Sequence, residues 1–93
     1  MTTITRTVTV GSSHGLHARP AKLFAQAAKE LGLPITIQKG EGKPTNAASI
    51  LGVISLGAEH GDEVVLATDA EAPGAAAAID SLAALLASDI DAE

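Results

Sequence analysis

The sequence predicts an α+β domain built on a four-stranded antiparallel sheet with three helices on one face. Three features of the chain carry that prediction. Short segments rich in β-branched residues alternate apolar and polar positions, and segments with helical apolar spacing separate them. The segments follow one another in the order βαββαβα. Two strand patterns at the centre flank a short Gly-bounded loop, as a β-hairpin requires, and such mixing suits helices packed on one side of an antiparallel sheet.

In the first strand, Ile4, Arg6, Val8 and Val10 alternate with Thr3, Thr5, Thr7 and Thr9, with Arg6 the one misfit on the apolar side. Gly11 to Gly15 is a turn-rich loop. A helix is expected from Ala18 to Leu31, with Ala21, Phe24, Ala28 and Leu31 on one face. Pro20 suits its first turn, Lys29 its last, and Gly32 stops it. Ile35 and Ile37 alternate with Thr36 and Gln38 in a second strand, which residues Gly40 to Gly42 turn back into a short third strand near Lys43–Thr45.

Asn46 is the expected N-cap of a short second helix that carries Ile50, Leu51, Val53 and Ile54 and ends at Gly57. Spacing puts Val53 and Leu56 against the sheet and leaves Leu51, with parts of Ile50 and Ile54, exposed. Val64 and Leu66 against Val65 and Ala67 form a fourth strand, reached through His60-Gly61-Asp62. Pro73 opens the last helix, with Ala75, Ala76, Ile79, Leu82, Ala83 and Leu86 as its buried stripe. The acidic tail from Asp89 to Glu93 is expected to fray.

A chain of 93 residues suits a single domain, residues 1–93, with a modest core that needs no covalent staple. Without cysteine there are no disulfides and no thiolate metal sites. Eleven Asp and Glu against six Lys and Arg give a formal net charge of −5, which argues against nucleic acid and anionic membranes as partners. Phe24 is the only aromatic residue, so base stacking and aromatic cages are poor candidates too. No stretch is apolar for long enough to cross a bilayer, and the N-terminus lacks a continuous apolar signal core, so the cytoplasm is the expected location.

The chemistry concentrates in Gly15-Leu16-His17-Ala18-Arg19-Pro20-Ala21, where a Gly-containing loop meets the first helix. N–H groups at a helix N-terminus point outward at the positive end of the dipole, an arrangement that binds phosphate. The same field disfavours imidazolium and favours a neutral, nucleophilic ring. The planar donor fork of Arg19 suits phosphate oxygens. Together these features fit a phosphohistidine, and nothing in the chain resembles a P-loop, a nucleophile–base pair or a metal cluster. On the residues alone a plainer reading stays open: His17 as a cap or surface residue, Arg19 as an exposed charge, and Pro20 as a helix-start residue that delays the helix beyond His17.

Gly15-Leu16-His17-Ala18-Arg19-Pro20-Ala21 resembles the active-site signature of HPr, the histidine-containing phosphocarrier family of the bacterial phosphoenolpyruvate-dependent sugar phosphotransferase system. A second segment, Asn46-Ala47-Ala48-Ser49-Ile50-Leu51-Gly52-Val53-Ile54-Ser55-Leu56-Gly57, is similar to that family's regulatory-serine segment. The two are spaced as in the family, and the likeness covers essentially the whole chain.

The resemblance implies an open-faced β-sandwich. It implies that His17 is phosphorylated on Nδ1, as a pros-phosphohistidine, and that Arg19 interacts with the phosphoryl group. Phosphate would come from enzyme I, charged by phosphoenolpyruvate, and pass to sugar-specific enzyme IIA domains for coupled sugar uptake. The chain would then be a monomeric covalent carrier that turns over only with partner enzymes, not itself an enzyme, with no cofactor and no metal. Ser49 matches the serine phosphorylated by a dedicated kinase in some low-GC Gram-positive bacteria. Ala18, Ile50, Leu51 and Ile54 match the partner-docking surface.

Departures from the family pattern open other readings. His14 stands where relatives often carry a small polar residue, which admits a metal site through His14 and His17 with His60 as a third candidate. Ala48 replaces a lysine common before the regulatory serine, and Ser49 as a plain helix-start residue competes with regulation. His60 in a turn, and Asp62 and Glu63 as solvated charges, need no function. Two functional alternatives share the same residues: a regulatory interaction module acting through the Ser49 helix, and a phosphocarrier of a nitrogen-regulatory or dihydroxyacetone-kinase branch.

Overall fold

The structure is a computed structural model and describes residues 2–12 and 15–88. His14, the side chain of Ala18 and the tail from Asp89 to Glu93 lie outside the described residues. The elements are β1 (Thr3–Thr9), α1 (Ala18–Leu31), β2 (Ile35–Lys39), β3 (Thr45–Asn46), α2 (Ile50–Ser55), β4 (Glu63–Asp69) and α3 (Ala75–Ala87). All four strands join one antiparallel sheet in the order β1-β4-β2-β3. β4 lies at its centre, paired with β1 from Thr3↔Asp69 to Thr9↔Glu63 and with β2 from Ile35↔Thr68 to Lys39↔Val64. This is the α+β fold, with the element order, that the sequence predicts.

The strand period of two decides which side chains the helices cover. Val8, Ile35, Ile37, Val64 and Leu66 are buried on one face, against Ala21, Phe24, Ala25 and Ala28 of α1, Val53 of α2, and Ile79, Leu82 and Leu86 of α3. Burying each large apolar side chain stabilises the fold by about 1.5–3 kcal/mol. Thr68 shares that buried face because its Oγ1 donates to the Pro34 carbonyl at 2.9 Å, so no polar group is stranded. Arg6, the misfit of β1, is resolved by a residue far along the chain: its Nε donates to Asp80 Oδ1 of α3 at 2.8 Å.

Four local expectations are corrected. β3 is Thr45–Asn46 rather than Lys43–Thr45, because the hairpin closes early, with Gly42 N–H donating to the Lys39 carbonyl, and the chain runs on before it pairs again. Asn46 therefore sits in a strand, and its Oδ1 accepts the Ala48 N–H at 2.9 Å in a local turn. Ser49 takes the cap of α2 instead, its Oγ accepting the Gly52 N–H at 3.1 Å. On α3, Gly74 rather than Pro73 is the N-cap, and Ala78 rather than Ala76 is buried. α1 starts at Ala18, one residue after His17 and where the sequence expects it, with Pro20 in its first turn. A first-turn N–H has no intrahelical acceptor, so proline there sacrifices no helical hydrogen bond.

Candidate functional site

The loop between β1 and α1 is built against two other parts of the chain. Val10 N–H donates to the Asp62 carbonyl at 2.8 Å, Gly61 N–H returns to the Val10 carbonyl at 3.0 Å, and Gly11 N–H reaches the Leu86 carbonyl at 3.0 Å. Gly15 N–H closes a turn on the Ser12 carbonyl at 3.0 Å, and Leu16 N–H donates to the Ala58 carbonyl at 2.9 Å. Gly15 has φ 68°, and a β-carbon there would lie 2.7 Å from the Ala58 oxygen. Both the left-handed backbone and the close approach require glycine. The Leu16 side chain is fully buried, so the residue before His17 is pinned by its side chain and its backbone together.

His17 emerges from this anchor as the N-cap of α1, with extended backbone at φ −122° and ψ 155°, and half-buried. Helix caps usually spend a side-chain oxygen on the first-turn N–H groups. His17 makes no side-chain cap bond, so its ring is not consumed by capping. The N-terminal dipole end is undiluted, since the first turn of α1 carries no acidic residue. Arg19 is exposed on that same turn, where it lines a surface groove along α1 with Lys22, Leu23 and Gln26. His17 and Arg19 are thus brought to one helix end.

Ser49, Ile50 and Leu51 line a second groove, shared with Ala25, Gln26 and Lys29. Gln26 borders both grooves, which makes the α1 flank continuous with α2. α2 leaves Ile50, Leu51 and Ile54 exposed at 42%, 80% and 37%, while Val53 is fully buried and Leu56 half-buried. Arg19, Lys22 and Lys29, half of the chain's six Lys and Arg, stand on the neighbouring helix. An acidic protein therefore offers one apolar patch beside one cationic flank. Among the described residues, no three His, Asp or Glu side chains are grouped to hold a metal, and the metal reading's His14 lies outside them.

The residues that sequence reasoning undervalued lie between α2 and β4. Asp62 is the surface charge the sequence suggests, but it is also engaged: its Oδ2 accepts the Glu59 N–H at 2.9 Å and stands 3.2 Å from Lys39 Nζ. The Glu59 N–H first, and then Lys39, hold the Asp62 carboxyl below its ordinary range. His60 Nδ1 lies 3.2 Å from the Ser12 carbonyl, a contact that requires the ring proton on Nδ1. The signal available in advance was Gly57…Gly61-Asp62, turn residues spaced to return the chain.

Comparison with known proteins bears on this site. The family model described as the PTS HPr component phosphorylation site matches residues 4–88. The phosphocarrier protein HPr of Streptomyces coelicolor is 54% identical over 92% of this chain and 90% of its own length. A multiphosphoryl transfer protein of Vibrio cholerae is 42% identical over 84% of this chain, a match that spans 20% of that longer protein. The crystal structure of HPr from Bacillus anthracis superposes with a TM-score of 0.81 at 37% identity, covering 90% of this chain and 96% of that one.

Proposed function

Because this chain belongs to the HPr family of phosphotransferase-system phosphocarriers, we propose that it carries a phosphoryl group on Nδ1 of His17. The observation that carries this reading is the placement of His17 as the N-cap of α1 with its ring unspent on capping. The Nδ1 lone pair attacks the phosphorus of the phosphorylated donor while Nε2 keeps its proton. The bond from phosphorus to the donor breaks as the P–N bond to His17 forms, and the same exchange runs again toward the acceptor. The dianionic group then lies at the positive end of α1, and the guanidinium of Arg19 complements its oxygens.

In this reading the donor is enzyme I, charged by phosphoenolpyruvate, and the acceptors are sugar-specific enzyme IIA domains. A single domain over residues 1–93 acts as a monomer. Ala18, Ile50, Leu51 and Ile54 form the docking surface; an exposed apolar patch beside three cations suits small, transient interfaces with partners of acidic rim. The multiphosphoryl transfer protein among the relatives supports passage between protein partners. A nitrogen-regulatory or dihydroxyacetone-kinase branch would use the same His17 chemistry.

Ser49 carries a second reading. It borders the docking groove, so a phosphate there would add about −1.5 to −2 charge to that flank. Its cap bond to Gly52 supports the plainer structural role.

Incubation with enzyme I and phosphoenolpyruvate tests the carrier. One acid-labile phosphoryl group per chain is expected. A chain that acquires none is a Ser49-helix regulatory module or a metal-binding protein instead.

A further inference from the structure

We propose that Asp62, together with Lys39, is a positioning residue for His17, acting through the 57–62 turn on which residues 15 and 16 are laid. The inference rests on the carrier reading and extends it to residues that touch no phosphate. The chain of contacts is short. Asp62 Oδ2 accepts the Glu59 N–H at 2.9 Å, and the Asp62 N–H donates back to the Glu59 carbonyl at 2.9 Å. Lys39 reaches across from β2, its Nζ 3.2 Å from Asp62 Oδ2 and donating to the Gly57 carbonyl at 3.1 Å. Both ends of the turn are thereby gripped, and Ala58 lies between them, fully buried.

Ala58 is the surface against which the site is registered. Its carbonyl accepts the Leu16 N–H at 2.9 Å and sets the limit for Gly15, whose added β-carbon would stand 2.7 Å away. A displacement of the turn therefore moves Leu16, and with it the N-cap ring one residue on. In-line transfer is sensitive to such shifts, and a misplacement of about 1 Å can cost on the order of 10²-fold in rate. Docking can be read separately, since the side chains of Ile50, Leu51 and Ile54 make none of the bonds that hold the turn, and only the Ile54 backbone carbonyl meets it, accepting the Gly57 N–H at 3.1 Å. The depressed carboxyl of Asp62 is what two donors converging on it produce.

The test uses the full chain as wild type, Asp62→Ala, Asp62→Asn and Lys39→Met. NMR on the unphosphorylated proteins reads the Leu16 amide and His17 ring signals, and phosphoryl acceptance from phosphorylated enzyme I is measured against partner concentration. Asp62→Ala should shift those signals and lower kcat on the order of 3–10-fold with KM within about twofold. Asp62→Asn, whose amide oxygen still accepts the Glu59 N–H, should restore most of the rate. Unmoved signals with a wild-type kcat, or a rise in KM alone, overturn the proposal. If Asp62→Ala does not fold, Lys39→Met is judged by the same two readouts. A wild-type chain that accepts no phosphate defeats the carrier reading, while the NMR shifts still decide the positioning.

Discussion

A β-carbon on Gly15 would stand 2.7 Å from the carbonyl oxygen of Ala58, so the His17 loop and the α2–β4 turn meet backbone to backbone. Gly15→Ala would add that clash to a left-handed conformation at φ 68°. The cost should be about 1–3 kcal/mol, read as a lowered denaturation midpoint with phosphoryl acceptance slowed in the fraction that stays folded. Gly32→Ala, also left-handed but with open space around it, should cost only about 1 kcal/mol and leave transfer alone.

His17→Ala should abolish phosphoryl acceptance while the fold survives. The ring is half-buried and makes no cap bond, so its removal should change stability by about 0.5 kcal/mol or less. Mass spectrometry after incubation with enzyme I and phosphoenolpyruvate checks this. A phosphoryl group on His14 or His60 in the variant would sink the assignment.

Leu51→Glu should give a folded protein that accepts phosphate slowly. Leu51 is 80% exposed, so a carboxylate there is solvated and stability should move within about 0.5 kcal/mol. Val53→Glu, on the same helix but fully buried, strands an unpaired charge and should cost several kcal/mol, enough to unfold so small a domain. Circular dichroism and the transfer rate, taken on the same samples, distinguish the two effects.

Ser49→Ala should cost about 0.5–2 kcal/mol through loss of the cap bond to Gly52. Ser49→Asp keeps a cap acceptor and adds negative charge at a helix N-terminus, so its thermal midpoint should stay near wild type. Its transfer from enzyme I should nevertheless slow, because the charge would stand on the flank proposed for docking. Equal rates for Ser49→Asp and wild type would remove Ser49 from the interface.

Acid titration should expose the Asp62 latch. Its carboxyl titrates lower in the folded chain than its ordinary value of 3.8, so its stabilisation is complete above that value. The contribution is lost as pH falls through the lower folded value. The thermal-midpoint difference between wild type and Asp62→Asn should therefore hold from neutral pH down to about 5 and shrink below about 4. A difference that grows on acidification would refute the latch.

Periodicity made the helices and long strands legible because each buries one face in a core that reads as a repeat. β3 was not legible: two residues, Thr45 and Asn46, are too few to show a period, and the hairpin closure that displaces them lies upstream. Asn46 looks like a cap by residue type, yet strand pairing claims its backbone and leaves the cap to Ser49. Arg6 looked misplaced because its partner, Asp80, is 74 residues away. The His17 segment was legible as a motif, whereas its supports at Ala58, Asp62 and Leu86 were not, since backbone carbonyls leave no trace in side-chain pattern.

The pairing of β1 with β4 sets the order in which the molecule is made. Thr3 to Thr9 find their ladder only in Glu63 to Asp69, so the first strand synthesised waits for the last. Such distant pairing pays its loop-closure entropy before any contact rewards it, which slows folding. During translation the His17 loop emerges early, but Ala58, Asp62 and Leu86 all follow it. A ribosome-bound chain halted before β4 should therefore hold α1 without the backbone supports of the His17 loop, and that loop gains its final geometry only once α3 has closed on the sheet.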